Sequence, residues 1–329
     1  MEQREEEDGA SYETTSIEES NSMHIAIKIF LSLLMLISCR LNSLYAQDVE
    51  PRRWSTLPLH TKIIGAGYGF TTGEVFFDPF LQVENSTVQM NSLLATYIHP
   101  FKIGTKLARL DVKVPFGIVH YEGLLNGEPA TLNRNGFLDP SLRFSINLLG
   151  PPALNIKELQ KYYVEHPVYT TLGVSMGVTL PFGQYFDEKL INLGQNRFVF
   201  RPQLGLLHNW GLWSYELTGS VYVFTNNNNF YDGGLRKQDP IFALQTHLIK
   251  RFPSRFWGSA SLALGHGGES VINNIPKNDT RTDFIGALSV GFPLTKFQNV
   301  KVVYLHTEAL TDIGANTNSF IFGWSLLLL

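Results

Sequence analysis

From Thr61 onward the chain divides into segments of about ten residues in which apolar positions recur at every second place. That is the period of a strand with one apolar face. Between Lys106 and Phe116, Ala108, Leu110, Val112, Val114 and Phe116 fall on one side, and Arg109, Asp111 and Lys113 on the other. Leu138 to Leu148 repeats the scheme, with Leu142, Phe144, Ile146 and Leu148 opposite Ser141, Arg143, Ser145 and Asn147. In Arg197 to Leu206, Phe198, Phe200, Leu204 and Leu206 oppose Arg197, Arg201, Gln203 and Gly205. The first segment, Ile64 to Phe70, alternates apolar residues with Gly65, Gly67 and Gly69. The pattern predicts twelve strands, over 62–70, 88–99, 106–119, 138–149, 168–181, 197–208, 212–225, 240–251, 256–265, 281–291, 299–306 and 319–329.

The connections between them are unequal. Every odd join is long and polar (71–87, 120–137, 182–196, 226–239, 266–280, 307–318), whereas even joins are mostly short (100–105, 209–211, 252–255, 292–298). The exception is 150–167, which holds a possible helical turn from Leu154 to Tyr163. A soluble sandwich or barrel, the competing reading, has no reason to sort loop length by parity. An outer-membrane barrel does, with short periplasmic turns and long outer loops. Lipid also demands closure, because no water satisfies an open strand edge. The fold expected is therefore all-β, a transmembrane antiparallel up-and-down β-barrel of about twelve strands over 62–329, with both ends periplasmic. Its apolar parity would face lipid and its polar parity the lumen. Tyr68, Phe70, Tyr97, Phe116, Trp210, Trp213, Trp257, Phe292 and Trp324 are expected in the interfacial girdles.

Composition agrees. With 44% hydrophobic residues, 23 Phe, 13 Tyr and 5 Trp, the chain is too apolar for general disorder. A single Cys excludes a disulfide scaffold. The net charge of -3 hides an uneven distribution, because residues 1–22 hold eight acidic residues against Arg4. The remainder has 21 acidic and 25 basic residues, a net of +4. Residues 1–22 read as an acidic disordered leader, and Met23 as a second possible start. His24 to Lys28, the apolar run Ile29 to Ile37 and the polar tail ending at Ala46 fit a signal peptide cleaved near Ala46. Leu36-Ile37-Ser38-Cys39 offers the alternative of a lipoprotein site at Cys39. Residues 47–61 would be a periplasmic N-terminal segment.

Several blocks carry a resemblance. They are Glu50-Pro-Arg-Arg-Trp-Ser-Thr-Leu-Pro58, Asp139-Pro140, Leu149-Gly-Pro-Pro-Ala-Leu154, Pro181-Phe-Gly-Gln-Tyr185, Lys189 to Arg197, Arg201-Pro202 and Gln238-Asp-Pro240. In this order the chain resembles the bacterial "putative MetA-pathway of phenol degradation" family of outer-membrane barrels, from about Glu50 to the last strand. The resemblance implies an outer-membrane protein, inserted by the barrel-assembly machinery and associated with aromatic compounds. One departure is that the last strand alternates Phe320, Phe322 and Trp324 but closes on Leu326 to Leu329.

Catalytic readings are weaker. Gly173-Val-Ser175-Met-Gly177 matches the G-x-S-x-G elbow, which needs a strand, a strained turn and a helix. Here Val178-Thr-Leu-Pro181 continues a strand, and Gly265-His-Gly-Gly268 follows the serine in the wrong order. An outer-membrane lipid hydrolase would need a Ser–His pair on the lipid-facing rim, and the sequence offers no such pair with an orienting third residue. A non-transporting structural or surface-interaction barrel is the other rival. Metal ligation has no spacing motif, no cofactor is implied, and no basic cluster suggests nucleic acid. The expected partners are outer-membrane lipid, the assembly machinery and a small-molecule solute.

Function is therefore expected in the lumen. Arg109, Lys113, Arg143, Arg197, Arg201, Asp111 and Glu216 lie on the inward parity and are the candidate lining residues. Basic rings bias a pore toward anions, and Arg stacks on aromatic faces. Twelve strands give a narrower bore than the 16 to 18 of open porins. The expectation is a selective or partly plugged passage for small aromatic or anionic compounds.

Overall fold

The computed structural model describes residues 49–76, 83–253 and 255–329. The acidic leader, the signal segment, Cys39 and the cleavage position at Ala46 lie outside them. Strands β1 (Lys62–Phe76), β2 (Val83–Ile103), β3 (Lys106–Leu125), β4 (Glu128–Phe137) and β5 (Ser141–Leu149) come first. Helix α1 (Ile156–Glu165) leads into β6 (Val168–Thr179), β7 (Val199–Trp210) and β8 (Trp213–Phe224). Then follow β9 (Asn227–Phe230), β10 (Gly234–Gln238), β11 (Ile241–Arg251), β12 (Trp257–Gly267), β13 (Ser270–Ile272), β14 (Ile275–Pro276), β15 (Arg281–Pro293), β16 (Gln298–Ala309) and β17 (Gly314–Leu328).

Each barrel strand pairs antiparallel with its neighbours in sequence order, and β1 closes the ring on β17, from Lys62 opposite Leu328 to Phe76 opposite Gly314. β4 and β5 act as one staves-width strand, both pairing with β3 and separated by Leu138, Asp139 and Pro140. All twelve expected strands are present. Burial along them is the reverse of a soluble sheet. On β7, Phe200, Leu204 and Leu206 are exposed while Arg201, Gln203 and Asn209 are buried. Leu204 is 55% exposed and Glu216 of β8 is 0% exposed. A folded chain that hides polar groups and presents a continuous apolar band is solvated by hydrocarbon outside and lined by polar groups inside.

Differences from the expected pattern lie mostly at the long-loop rim. The expected loop 120–137 is a hairpin, β3 to β4, turning at Asn126 and Gly127 with φ of 54° and 81°. Two successive positive φ angles suit Asn-Gly and match the twist of the flanking strands. The apolar alternation fades here because both faces are polar above the membrane. The expected loops 226–239 and 266–280 fold into a second sheet, in the order β14-β13-β10-β9. Helix α1 begins two residues later than expected because Asn155 caps it. The Asn155 side chain accepts from the Glu158 backbone, and Glu158 reaches back to the Asn155 N–H, both at 3.0 Å. Trp257 does not join a girdle. It shares the inward parity of Ser259, Ser261 and Ala263, packs over Gly291 and carries Arg52 over its ring at 5.2 Å.

Candidate functional site

The segment before β1 runs through the lumen at the short-turn end. Residues 51–54 form a turn, with Arg52 at φ 67°. Its hub is Trp54, 2% exposed, whose indole N–H donates to Thr218 Oγ1 at 2.8 Å. The ring lies against Gly173 of β6 and Gly205 of β7, where an added Cβ would sit 2.5 Å and 1.9 Å from ring atoms. Any side chain at Gly205 would occupy the space of the indole, so these glycines are a seat for it. Glu216 accepts the backbone N–H groups of Arg53 at 3.2 Å and Trp54 at 3.3 Å. Arg109 donates to the Arg53 carbonyl at 3.1 Å, and Gln203 takes the Arg53 guanidinium together with the Ser175 hydroxyl. On the opposite wall Val49 packs against the pair Ala263 and Ile285, as does Leu305.

Charges from two strands, β3 and β5, meet those of the plug itself. Arg109 donates to Asp111 Oδ2 at 2.9 Å, and Arg143 bridges Asp111 and Glu50, reaching Glu50 Oε2 at 3.0 Å. Lys113 pairs with Glu50 Oε1, and Arg53 stands 3.7 Å from Oε2. Burial alone would raise the Glu50 carboxyl, but Lys113, Arg143 and Arg53 hold it well below the usual carboxylate range.

Above the network is a cavity of about 360 Å³. Arg53, Lys113, Arg143 and Arg201 with Asp111 and Asp139 supply its charge, and Leu94, Pro115, Leu138, Leu193 and Val199 much of its apolar wall. Arg201 stacks on Tyr222 at 4.5 Å and reaches Ser220 at 3.4 Å. The connection from β6 to β7 roofs the cavity. Asp139 pins it by accepting the N–H groups of Gly183 at 2.9 Å and Gln195 at 2.7 Å. Gly183 and Gly194 lie so close to Asp139 that an added Cβ would come within 2.8 Å and 3.0 Å of its Oδ1.

Of the seven residues expected in the lumen, Asp111, Lys113, Arg143 and Arg201 line the cavity. Arg109 and Glu216 hold the plug beneath it. Arg197 lies in the roof, two residues before β7 begins, bonded to Gln195 at 3.2 Å and to Gln238 and stacked on Phe224 at 4.4 Å. Glu50, Arg53, Trp54 and Gln203 were not among the expected site residues. The available signal was a run of charges and an indole directly before β1, with Gly173 and Gly205 on the polar parity. Ser175 of the G-x-S-x-G match sits mid-strand in β6, which continues to Thr179. Among the described residues no group of His, Cys, Asp and Glu is placed to hold a metal.

The family model described as "Putative MetA-pathway of phenol degradation" matches residues 76–322. No curated protein matches the chain. Among solved structures, an outer membrane channel from Pseudomonas putida F1 is 17% identical, with a TM-score of 0.71, covering 85% of this chain and 100% of its own. The translocator domain of autotransporter NalP from Neisseria meningitidis is 9% identical with a TM-score of 0.43, covering 83% of this chain and 90% of its own. A FadL homologue of Pseudomonas aeruginosa is 6% identical with a TM-score of 0.39, covering 81% of this chain and 89% of its own. The first of these shares the barrel fold.

Proposed function

The chain belongs to the "Putative MetA-pathway of phenol degradation" family, and from that premise we propose that it is an outer-membrane channel for small aromatic or anionic compounds. The observation that carries this reading is the cavity of about 360 Å³ inside a lipid-facing wall, whose lining combines four cations, Arg53, Lys113, Arg143 and Arg201, with apolar residues such as Leu94, Pro115 and Val199. A compound with a ring and an acidic or phenolic oxygen would meet both surfaces. Arg201 on Tyr222 offers a charged donor fixed by stacking, and Lys113 and Arg143 add positive potential toward the plug. Such a bias favours anions over cations. The short-turn end is filled by Trp54 and its neighbours, so passage requires that turn to shift.

Export by a signal peptide over 23–46, insertion by the barrel-assembly machinery and a bounding shell of outer-membrane lipid complete the proposal. The lipid-hydrolase alternative gains no support from geometry. A Ser–His contact exists between Ser261 and His247 at 2.8 Å, but both are buried on the inward face. The test is uptake of radiolabelled benzoate by proteoliposomes. Flux above that of protein-free vesicles, reduced about tenfold by Arg201→Ala, supports the proposal on the scale of a lost charge-assisted contact. Flux equal to that of protein-free vesicles refutes it.

A further inference from the structure

The Glu50 carboxylate lies where a ligand carboxylate would be expected. Its two oxygens are divided between cations from different strands, Oε1 to Lys113 of β3 and Oε2 to Arg143 of β5, with Arg53 at 3.7 Å. All three cations also line the cavity, beside Leu94 and Pro115. Glu50 is not sealed in, since its side chain keeps 23% of its exposure. Asp111 is already engaged by Arg109 and Arg143, so Glu50 is the carboxylate shared by Lys113 and Arg53.

We propose that Lys113, Arg143 and Arg53 form a binding site for the carboxylate of a small aromatic acid, that Glu50 fills it in the closed channel, and that an arriving carboxylate displaces Glu50 and frees the plug. The inference rests on the channel reading above and adds its ligand class and its gate. Charge makes the exchange selective. Withdrawing Glu50 alone would leave three clustered cations in a poorly solvated site, which is costly. Replacing one carboxylate by another leaves the charge count unchanged, so a neutral compound of the same shape cannot substitute. Glu50 immediately precedes the turn that carries Arg53 and Trp54, so releasing it removes one anchor from the turn that blocks the lumen. Linkage requires the converse: the plug must weaken ligand binding by the factor with which the ligand weakens the plug.

The experiment uses the full chain carrying Cys39→Ser and Ser55→Cys, folded in detergent, and follows the rate at which a maleimide labels position 55. Millimolar benzoate should raise the rate severalfold, and benzyl alcohol should leave it unchanged. Adding Glu50→Gln should give the raised rate without ligand and abolish the response. An unchanged rate with benzoate, or an equal response to benzyl alcohol, overturns the proposal. So does a benzoate response that survives Glu50→Gln. If that variant does not form a barrel, Glu50→Asp replaces it: the shorter incumbent carboxylate, with the cations intact, should lower the benzoate concentration for half effect severalfold, and an unchanged concentration overturns the proposal. Labelling needs no transport. Benzoate flux without a labelling response therefore refutes the displacement alone, and a labelling response without flux refutes the channel alone.

Discussion

The lumen has two unlike arcs. From β3 to β8 the inward positions carry Arg109, Asp111, Lys113, Arg143, Arg201, Gln203 and Glu216. From β12 round to β1 they are dominated by small or weakly polar residues, among them Ser259, Ser261, Ala263, Ala287, Ser289, Ser319 and the glycines of β1. The plug bridges them unequally: Glu50, Arg53 and Trp54 bond to the first arc, and Val49 packs on the second. The cavity's lining also comes from the first arc and its loops, with Leu94 of β2 at its margin. The bonds that hold the plug and most of the lumen charge thus lie on one arc, and small side chains on the other.

Breaking the ion network should separate the arcs most. Arg143→Met removes the cation between Asp111 and Glu50 and leaves two carboxylates facing each other, which should cost about 3 kcal/mol. Ser289→Ala on the opposite arc should stay within about 0.5 kcal/mol. Urea unfolding in detergent micelles measures both, and equal losses would abolish the distinction. Next in size is the indole seat. Gly205→Ala should cost about 2 kcal/mol by overpacking and raise single-channel conductance as Trp54 is displaced. Gly67→Ala, whose Cβ would meet Leu94 Cβ at an ordinary 3.5 Å, should change neither.

A smaller effect is expected on selectivity. Arg201→Ala should lower the anion-to-cation permeability ratio severalfold. Lys301→Ala on the sparse arc, and Arg197→Ala in the roof, should lower it less. A larger shift from Lys301 would relocate the path. The smallest effect concerns pH. Because its cations hold Glu50 well below the ordinary carboxylate range, its contribution to the closed plug is complete above the unfolded pKa of about 4.3. It is lost only as pH falls through the lower folded value. Labelling at position 55, divided at each pH by the rate for a free thiol so that the falling thiolate fraction cancels, should therefore be flat from about pH 7 to about pH 5 and rise only in stronger acid. A rise near about pH 6 would mean that another group anchors the turn.

The wall was legible in the sequence because alternation has a direct physical cause, hydrocarbon on one face and polar contacts on the other. That rule found all twelve strands and put Asp111, Lys113, Arg143 and Arg201 inside. It failed where only one face mattered or neither did. Arg197 continues the alternation of β7, but the strand begins at Val199, so the residue belongs to the roof. Trp257 was expected in a girdle from its position near a strand end, whereas its parity is inward. The Asn126-Gly127 turn was a readable hairpin signal beyond the apolar band. The plug was hidden for a different reason. Glu50 to Trp54 has no period, and its meaning lies in complementarity to Gly173, Gly205 and Glu216, more than a hundred positions away in the chain.

A channel of this kind requires solute to cross the barrel along its cationic arc. The direct measurement is the reversal potential of the purified protein in a planar bilayer under a salt gradient, with and without Arg201→Ala. Anion preference that falls in the variant is the predicted result. A bilayer that stays silent with folded protein inserted, or a cation preference indifferent to Arg201, would contradict it.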